Sequence, residues 1–167
     1  KEAAELIKKS KKPIIIAGGG VLYSDATDEL SDFAKKHNIP VTQTVMGYSS
    51  LKKDHSHYLG AIGGLGSKAA NNLSKETDTA IAIGTKLADF TTGSWANFEN
   101  PDFKLVSINA ARFDANKHMA QAIVGDAKVS LIELSQALGS WKADDSWYKK
   151  SRVELKNWDS YVEKHSG

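Results

Sequence analysis

Near its start the chain carries the run Ile14-Ile15-Ile16-Ala17-Gly18-Gly19-Gly20. Consecutive apolar residues of this kind are typical of a strand that is buried on both faces of a parallel sheet. The glycines predict the end of the strand, and residues 25–36 then show helical spacing of apolar side chains, with Ser24 or Asp25 as the expected N-cap. The run therefore predicts the first strand and the crossover helix of a βαβ unit.

The same alternation continues along the chain. Short apolar runs predict strands at residues 41–45, 78–83, 104–108 and 122–124, and helical patterns cover residues 1–9, 68–74 and 128–138. The buried face of the last of these helices is predicted to consist of Val129, Leu131, Ile132, Leu134 and Leu138. Together these elements predict an α/β fold: a doubly wound, mostly parallel, Rossmann-like sheet with helices on both faces, occupying residues 1–139.

Residues 140–167 differ in composition, because they are rich in tryptophan and tyrosine among charged residues. Tyr148, Leu155 and Val162 recur at sevenfold spacing, which predicts an amphipathic helix. We expect this C-terminal helical linker segment either to pack on the preceding domain or to cover another domain with its aromatic side chains. The chain begins with Lys1 inside a predicted helix, so we expect a fragment of a longer polypeptide.

Composition excludes several classes of function. The 22 basic and 20 acidic residues give a net charge of +2 without a basic stripe, so nucleic acid is not an expected partner. Cysteine is absent, which excludes disulfides, thiolate metal sites and a thiol nucleophile. The apolar runs are far shorter than the roughly 20 residues of a membrane span, and we expect no signal peptide. We expect a cytoplasmic protein without a membrane partner.

Gly18, Gly19 and Gly20 lie where a dinucleotide-binding turn would lie, between a strand and a helix. The fingerprint is incomplete, because Tyr23 occupies the position of its last glycine and no acidic residue follows about 20 positions on. Two interpretations stay open: a ligand-facing loop, or a tight exit from the strand.

Gly63, Gly66 and Ser67 form a second glycine-rich segment before the predicted helix at residues 68–74. Amides at the start of that helix could meet a phosphate or carboxylate. The segment lacks the Gly-Lys-Ser/Thr ending of a P-loop, so nucleotide hydrolysis is not predicted. Alternatively, the glycines permit a sharp turn and close helix packing.

Lys86 and Asp89 follow the strand predicted at residues 78–83, in a loop rich in hydroxyl groups. Ligands of open parallel sheets bind at the carboxyl ends of strands. This loop could therefore bind an anionic or polyhydroxylated group. Alternatively, it could be a solvated loop anchored by Phe90 and Trp95.

No catalytic or metal-binding residue is predicted. His55 and His57 form a tempting metal pair but lack a third ligand at a recognisable spacing, so we expect a polar loop there. No serine occupies a Gly-x-Ser-x-Gly turn, and no carboxylate is singled out as an acid or base.

Several segments resemble the middle domain of thiamine-diphosphate (ThDP) enzymes such as acetolactate synthase, over about residues 1–141. The segments that carry this resemblance are Pro13-Ile14-Ile15-Ile16-Ala17-Gly18-Gly19-Gly20-Val21, Gly60-Ala61-Ile62-Gly63, Ala69-Ala70-Asn71, Ile83-Gly84-Thr85-Lys86-Leu87 and Val124-Gly125-Asp126-Ala127. A narrower resemblance, to the trihydroxycyclohexane-dione hydrolases of myo-inositol breakdown, also labelled malonic semialdehyde oxidative decarboxylases, rests on three further segments. These are Asp89-Phe90-Thr91-Thr92-Gly93-Ser94-Trp95, Asn100-Pro101 and Ile108-Asn109.

The resemblance implies a DHS-like NAD/FAD-binding fold without its own reaction centre. In the family, an upstream domain supplies a glutamate that activates the thiazolium ring, and a downstream Gly-Asp-Gly motif binds magnesium and diphosphate. Gly125-Asp126-Ala127 does not match that motif. ThDP and magnesium are therefore expected to bind outside this chain, with the flanking domains and a homo-oligomer as partners. FAD is not favoured, because Lys86 replaces the arginine of flavin-dependent relatives.

Three hypotheses follow. The chain is the non-catalytic central domain of a ThDP enzyme that hydrolyses a carbon–carbon bond of a cyclic 1,2-dione. Alternatively, the parent is a ThDP-dependent decarboxylase or an acetolactate-synthase-like enzyme. The third hypothesis is a stand-alone module that binds FAD or NAD.

Overall fold

Six parallel strands form the sheet of this protein, which a computed structural model describes over residues 1–166. The strands are β1 (Pro13–Ala17), β2 (Val41–Gln43), β3 (Tyr58–Ala61), β4 (Thr79–Ile83), β5 (Lys104–Asn109) and β6 (Gln121–Val124). The helices are α1 (Glu2–Lys8), α2 (Gly19–Tyr23), α3 (Thr27–His37), α4 (Lys68–Glu76), α5 (Asp89–Thr92), α6 (Arg112–Ala115), α7 (Ala127–Leu138) and α8 (Asp145–His165). The strand order is β3-β2-β1-β4-β5-β6. The prediction of a doubly wound, Rossmann-like parallel sheet is confirmed.

The side chains of β1 alternate between two hydrophobic clusters, one on each face of the sheet. Ile15 and Ala17 pack in the cluster covered by α1, α3 and α7. Ile14 and Ile16 pack in the cluster covered by α4 and α8. All four side chains are fully buried. A strand with both faces covered cannot alternate polar and apolar residues, which explains the unbroken apolar run.

Strand β3 was missed by the sequence analysis, which predicts no strand between residues 45 and 78. Gly60 has a φ of +105°, a backbone conformation unusual for a strand. The strand forms because it pairs with β2, through Thr42 opposite Gly60, and because Leu59 is fully buried. Tertiary packing therefore outweighs a weak local signal.

Two expectations about the helices were wrong. Neither Ser24 nor Asp25 caps α3, because the short helix α2 intervenes and Ala26 directly precedes Thr27. Val129 and Ile132 are 54% and 43% exposed rather than buried. The buried face of α7 instead consists of Ala127, Ser130, Leu131, Leu134 and Leu138.

Helix α8 packs on this domain, against α4 and β3. Its buried positions are Trp147 and Ser151, not the predicted sevenfold set, whose member Val162 is 37% exposed. The indole Nε1 of Trp147 donates to the carbonyl oxygen of Pro13 at 2.8 Å. The predicted helix is observed, and its face toward the domain also includes the partly buried Leu155 and Trp158. Along residues 1–166, no helix combines the length and the apolar character needed to cross a membrane.

Candidate functional site

The loops that follow the strands converge on a cavity at the carboxyl edge of the sheet, near the point between β1 and β4 where the strand order reverses. Ligands of doubly wound proteins bind at this place. The cavity has a volume of about 620 Å³. Its wall includes Gly19, Gly20, Thr44, Met46, Lys86, Phe90, Asn109 and Asp114. A larger cavity of about 830 Å³ lies at the amino edge, beside α1, but it is remote from the switch point and is the weaker candidate.

Gly18 and Gly20 bring the end of β1 against the end of β4. A Cβ atom at Gly18 would lie 2.4 Å from the carbonyl oxygen of Gly84, and one at Gly20 would lie 2.5 Å from the Cα of Gly84. The amide of Gly18 donates to Ile83 O at 2.8 Å, and that of Gly20 donates to Gly84 O at 3.0 Å. Because these two amides are used inside the protein, neither is available as a donor to a pyrophosphate group.

The second glycine segment lies beside the cavity. Among the residues that the structure describes, none of residues 60–67 belongs to the cavity wall. The amide of Gly63 donates to Asn71 Oδ1 at 3.0 Å, and that of Gly66 donates to Gly63 O at 2.8 Å. Ser67 caps α4, because its Oγ accepts from the amide of Ala70 at 3.0 Å. These contacts account for the segment as a tight turn with a capped helix.

Lys86 is the predicted site residue with the clearest position on the cavity wall. Its side chain is exposed, and no ion pair involves it within residues 1–166. Asp89 begins α5 and is also exposed, but it does not belong to the wall in the described structure. Lys86 therefore offers a cation to an anionic or hydroxyl-rich group in the cavity.

Sequence reasoning missed Asn109 and Asp114 as members of the cavity wall. The amide nitrogen of Asn109 donates to Thr85 O at 3.2 Å and so joins the loops after β4 and β5. Asp114 pairs with Lys117 at 2.6 Å. The position of Asn109 at the end of a strand was a usable signal, whereas no sequence spacing indicates Asp114.

His55 and His57 are structural. His57 Nε2 lies 3.0 Å from Asn38 Oδ1, and His55 Nε2 lies 3.1 Å from Ser31 Oγ. Burial is the main cause that lowers both pKa values, that of His57 to about 4. These hydrogen bonds occupy ring nitrogens that a metal would have to contact.

The residues described here do not fit a metal-dependent diphosphate site. Within residues 1–166 no three side chains among His, Cys, Asp and Glu converge as metal ligands. Diphosphates bound with a divalent cation need carboxylate or carbonyl oxygens around that cation.

Comparison with known proteins gives consistent results. Residues 1–134 match the family model described as "Thiamine pyrophosphate enzyme, central domain". The chain is 42% identical over 157 residues to the 3D-(3,5/4)-trihydroxycyclohexane-1,2-dione hydrolase of Clostridium perfringens strain 13, covering 94% of the chain and 25% of that protein. It is 47% identical over 137 residues to the protein of the same name from Clostridium botulinum strain Alaska E43, covering 82% and 21%.

The hydrolase 2 of Bacillus cereus strain ZK is 39% identical over 159 residues, which is 95% of the chain and 25% of that protein. The chain thus spans about a quarter of the length of the curated relatives that it matches. Because the family model covers residues 1–134, which is most of the chain, the family is shown. The chain belongs to the central-domain family of the thiamine pyrophosphate enzymes.

Proposed function

We propose that the parent of this chain is a ThDP-dependent enzyme that hydrolyses a carbon–carbon bond of trihydroxycyclohexane-1,2-dione in myo-inositol catabolism. The supporting observation is the 42% identity, over 94% of the chain, to a relative that carries the name of this hydrolase. The sequence of the loop after β4, from Asp89 to Trp95, supports the same narrower group.

In this proposal the chain is a central domain without a reaction centre. ThDP and Mg²⁺ bind to the flanking domains, which supply the chemistry of the cofactor, and the parent assembles as a homo-oligomer. The boundary of the central domain is placed near Gly139, and the helical linker segment that follows packs back on the domain through α8 and leads to the next domain.

The cavity at the carboxyl edge is the proposed ligand-facing part of this domain. Gly19, Gly20 and Lys86 all lie on its wall, where Lys86 supplies a positive charge. Binding roles were also predicted for other residues, and these roles remain predictions. In this proposal the residues shape the neighbouring loops: Gly18, Gly63, Gly66, Ser67 and Asp89.

The experiment compares the full-length parent with the isolated chain of residues 1–167. Each is incubated with the dione, ThDP and Mg²⁺, and ring opening is followed by mass spectrometry. We expect turnover by the parent, loss of that turnover when ThDP is omitted, and no turnover by the isolated chain. Comparable turnover by the isolated chain would contradict the division of labour between domains.

The same parent distinguishes the alternatives. If it leaves the dione unchanged but decarboxylates or condenses a 2-oxo acid, it is a decarboxylase or an acetolactate-synthase-like enzyme. Calorimetry of the isolated chain with FAD, NAD and ADP tests the stand-alone nucleotide module. The internal use of the Gly18 and Gly20 amides argues against that module.

A further inference from the structure

Large apolar side chains are exposed in the loops and short helices that follow β1 to β5. Tyr23 is 87% exposed, Met46 is 70% exposed and Phe113 is 77% exposed. We define the carboxyl-edge surface by six residues of this kind: Tyr23, Val45, Met46, Leu65, Phe90 and Phe113. Single exposed apolar residues are ordinary, but a cluster from five successive connections is a feature that marks an interaction site.

The surface is continuous. Tyr23, Val45, Met46 and Phe90 line the same cavity. A Cβ atom at Gly64, the neighbour of Leu65, would lie 3.3 Å from the ring of Phe90, so the loops after β3 and β4 touch. Five of the six side chains thus belong to loops that meet around the cavity, and the sixth, Phe113, directly precedes Asp114 on the cavity wall.

The opposite edge of the sheet has a different chemistry. Its cavity is lined by charged side chains that include Lys11, Lys12, Asp78 and Asp102. Asp78 also accepts hydrogen bonds from the amides of Lys11 and Lys12. Since charged residues interact well with water, that edge needs no cover, whereas the carboxyl-edge surface exposes apolar area to water at a cost of about 25 cal/mol per Å².

We propose that the carboxyl-edge surface is covered by a domain of the parent polypeptide that lies outside residues 1–167. This inference deepens the proposed function and rests on it. The relatives are about four times as long as the stretch they share with this chain, so most of each relative is available to supply such a domain. The covering surface is apolar where it meets these six side chains, because burying them removes apolar area from water.

Two valines with the same exposure allow a matched test in the full-length parent. Val45 belongs to the carboxyl-edge surface and is 53% exposed, while Val129 on α7 is 54% exposed. Val45→Cys and Val129→Cys are made separately, with Val153→Cys on α8, 57% exposed, as a second control. Because residues 1–167 contain no other cysteine, peptide mass spectrometry can follow each new thiol during maleimide labelling.

Labelling is measured in the native parent and in urea, which gives the intrinsic reactivity of each thiol. In the native parent we expect the labelling rate of the Val45→Cys thiol, relative to its rate in urea, to be at least about tenfold lower than that of at least one control thiol. The reason is that only a covered surface is protected from the maleimide. Equal rates at all three positions, whether fast or slow, would overturn the proposal.

A photo-crosslinker attached to the same thiol identifies the covering segment. Crosslinks to peptides outside residues 1–167 support the proposal, and crosslinks only to residues 1–167 of a second copy overturn it. Neither readout depends on catalysis. A parent that protects Val45→Cys but leaves the dione unchanged would therefore refute the proposed reaction and keep the docking surface.

Discussion

Protonation of His57 should destabilise this domain at acidic pH. The side chain is only 7% exposed, and its ring packs at a tilt of 34° against that of Tyr148 in α8, with 4.5 Å between the ring centroids. Burial, followed by the nearby His55 and Arg152, lowers the pKa of His57 from 6.5 to about 4. The fold therefore holds this histidine neutral over a pH range in which the unfolded chain carries it protonated.

The sign of the effect follows from proton binding. Between pH 6.5 and 4 the unfolded state binds the proton that the folded state excludes, so the free energy of unfolding falls as the pH falls. Above pH 6.5 the His57 contribution is constant. The difference between 6.5 and about 4 corresponds to roughly 3 kcal/mol, lost progressively across that range.

Urea unfolding of wild type and His57→Gln at pH 7.5 and 4.5 measures this effect. The variant should lose less stability than wild type between the two pH values, by about 2 to 3 kcal/mol, because glutamine does not titrate. The control is His165→Gln at the exposed end of α8, which should behave like wild type. An NMR titration that gives His57 a pKa above 6, or an unchanged pH dependence in His57→Gln, would refute the reasoning.

Three further predictions concern α8, the glycine turn and the cavity. Trp147→Phe leaves the buried carbonyl of Pro13 without its donor, so urea unfolding should show a loss of about 1 to 3 kcal/mol; an unchanged midpoint would mean that the bond contributes nothing. Gly18→Ala places a Cβ atom 2.4 Å from a backbone oxygen and should cost about 3 kcal/mol or more. Gly125→Ala, which meets only a serine hydroxyl at 3.2 Å, should cost less than about 1 kcal/mol, and equal costs would contradict this packing argument. Lys86→Met should change the stability of the exposed loop by less than about 0.5 kcal/mol, yet lower kcat/KM of the parent for the dione about tenfold; unchanged kinetics would remove the cavity as a ligand site.

The central strands β1 and β4 could be predicted because a strand covered on both faces of the sheet requires consecutive apolar residues. Ile14 to Ile16 and residues 80–83 are buried on both faces, and only an unbroken apolar run satisfies that position. Strand β3 could not be predicted in the same way. Gly60 weakens its local signal, and its strand conformation depends on pairing with β2, which lies 15 or more residues earlier in the chain.

The candidate site was predictable in location but not in composition. Chain order alone places the loops containing Gly19, Gly20 and Lys86 at the carboxyl ends of strands, where the cavity is found. Met46 and Asp114 reach the same cavity from loops after β2 and β5, and no spacing in the sequence links these positions. The exposure of Val129 was unpredictable for a related reason, because periodicity identifies an apolar stripe without showing how far the neighbouring helix covers it.

Helix α8 makes the boundary of the evolutionary family different from the boundary of the folding unit. The family match ends at residue 134, yet Trp147 belongs to one of the two hydrophobic clusters, and Arg152 donates to the carbonyl of Tyr58 in edge strand β3 at 2.6 Å. A recombinant protein that ends at residue 134 would expose that hydrophobic cluster to solvent and would leave edge strand β3 uncovered. Both changes promote aggregation. Expression of this domain in usable form therefore depends on keeping α8.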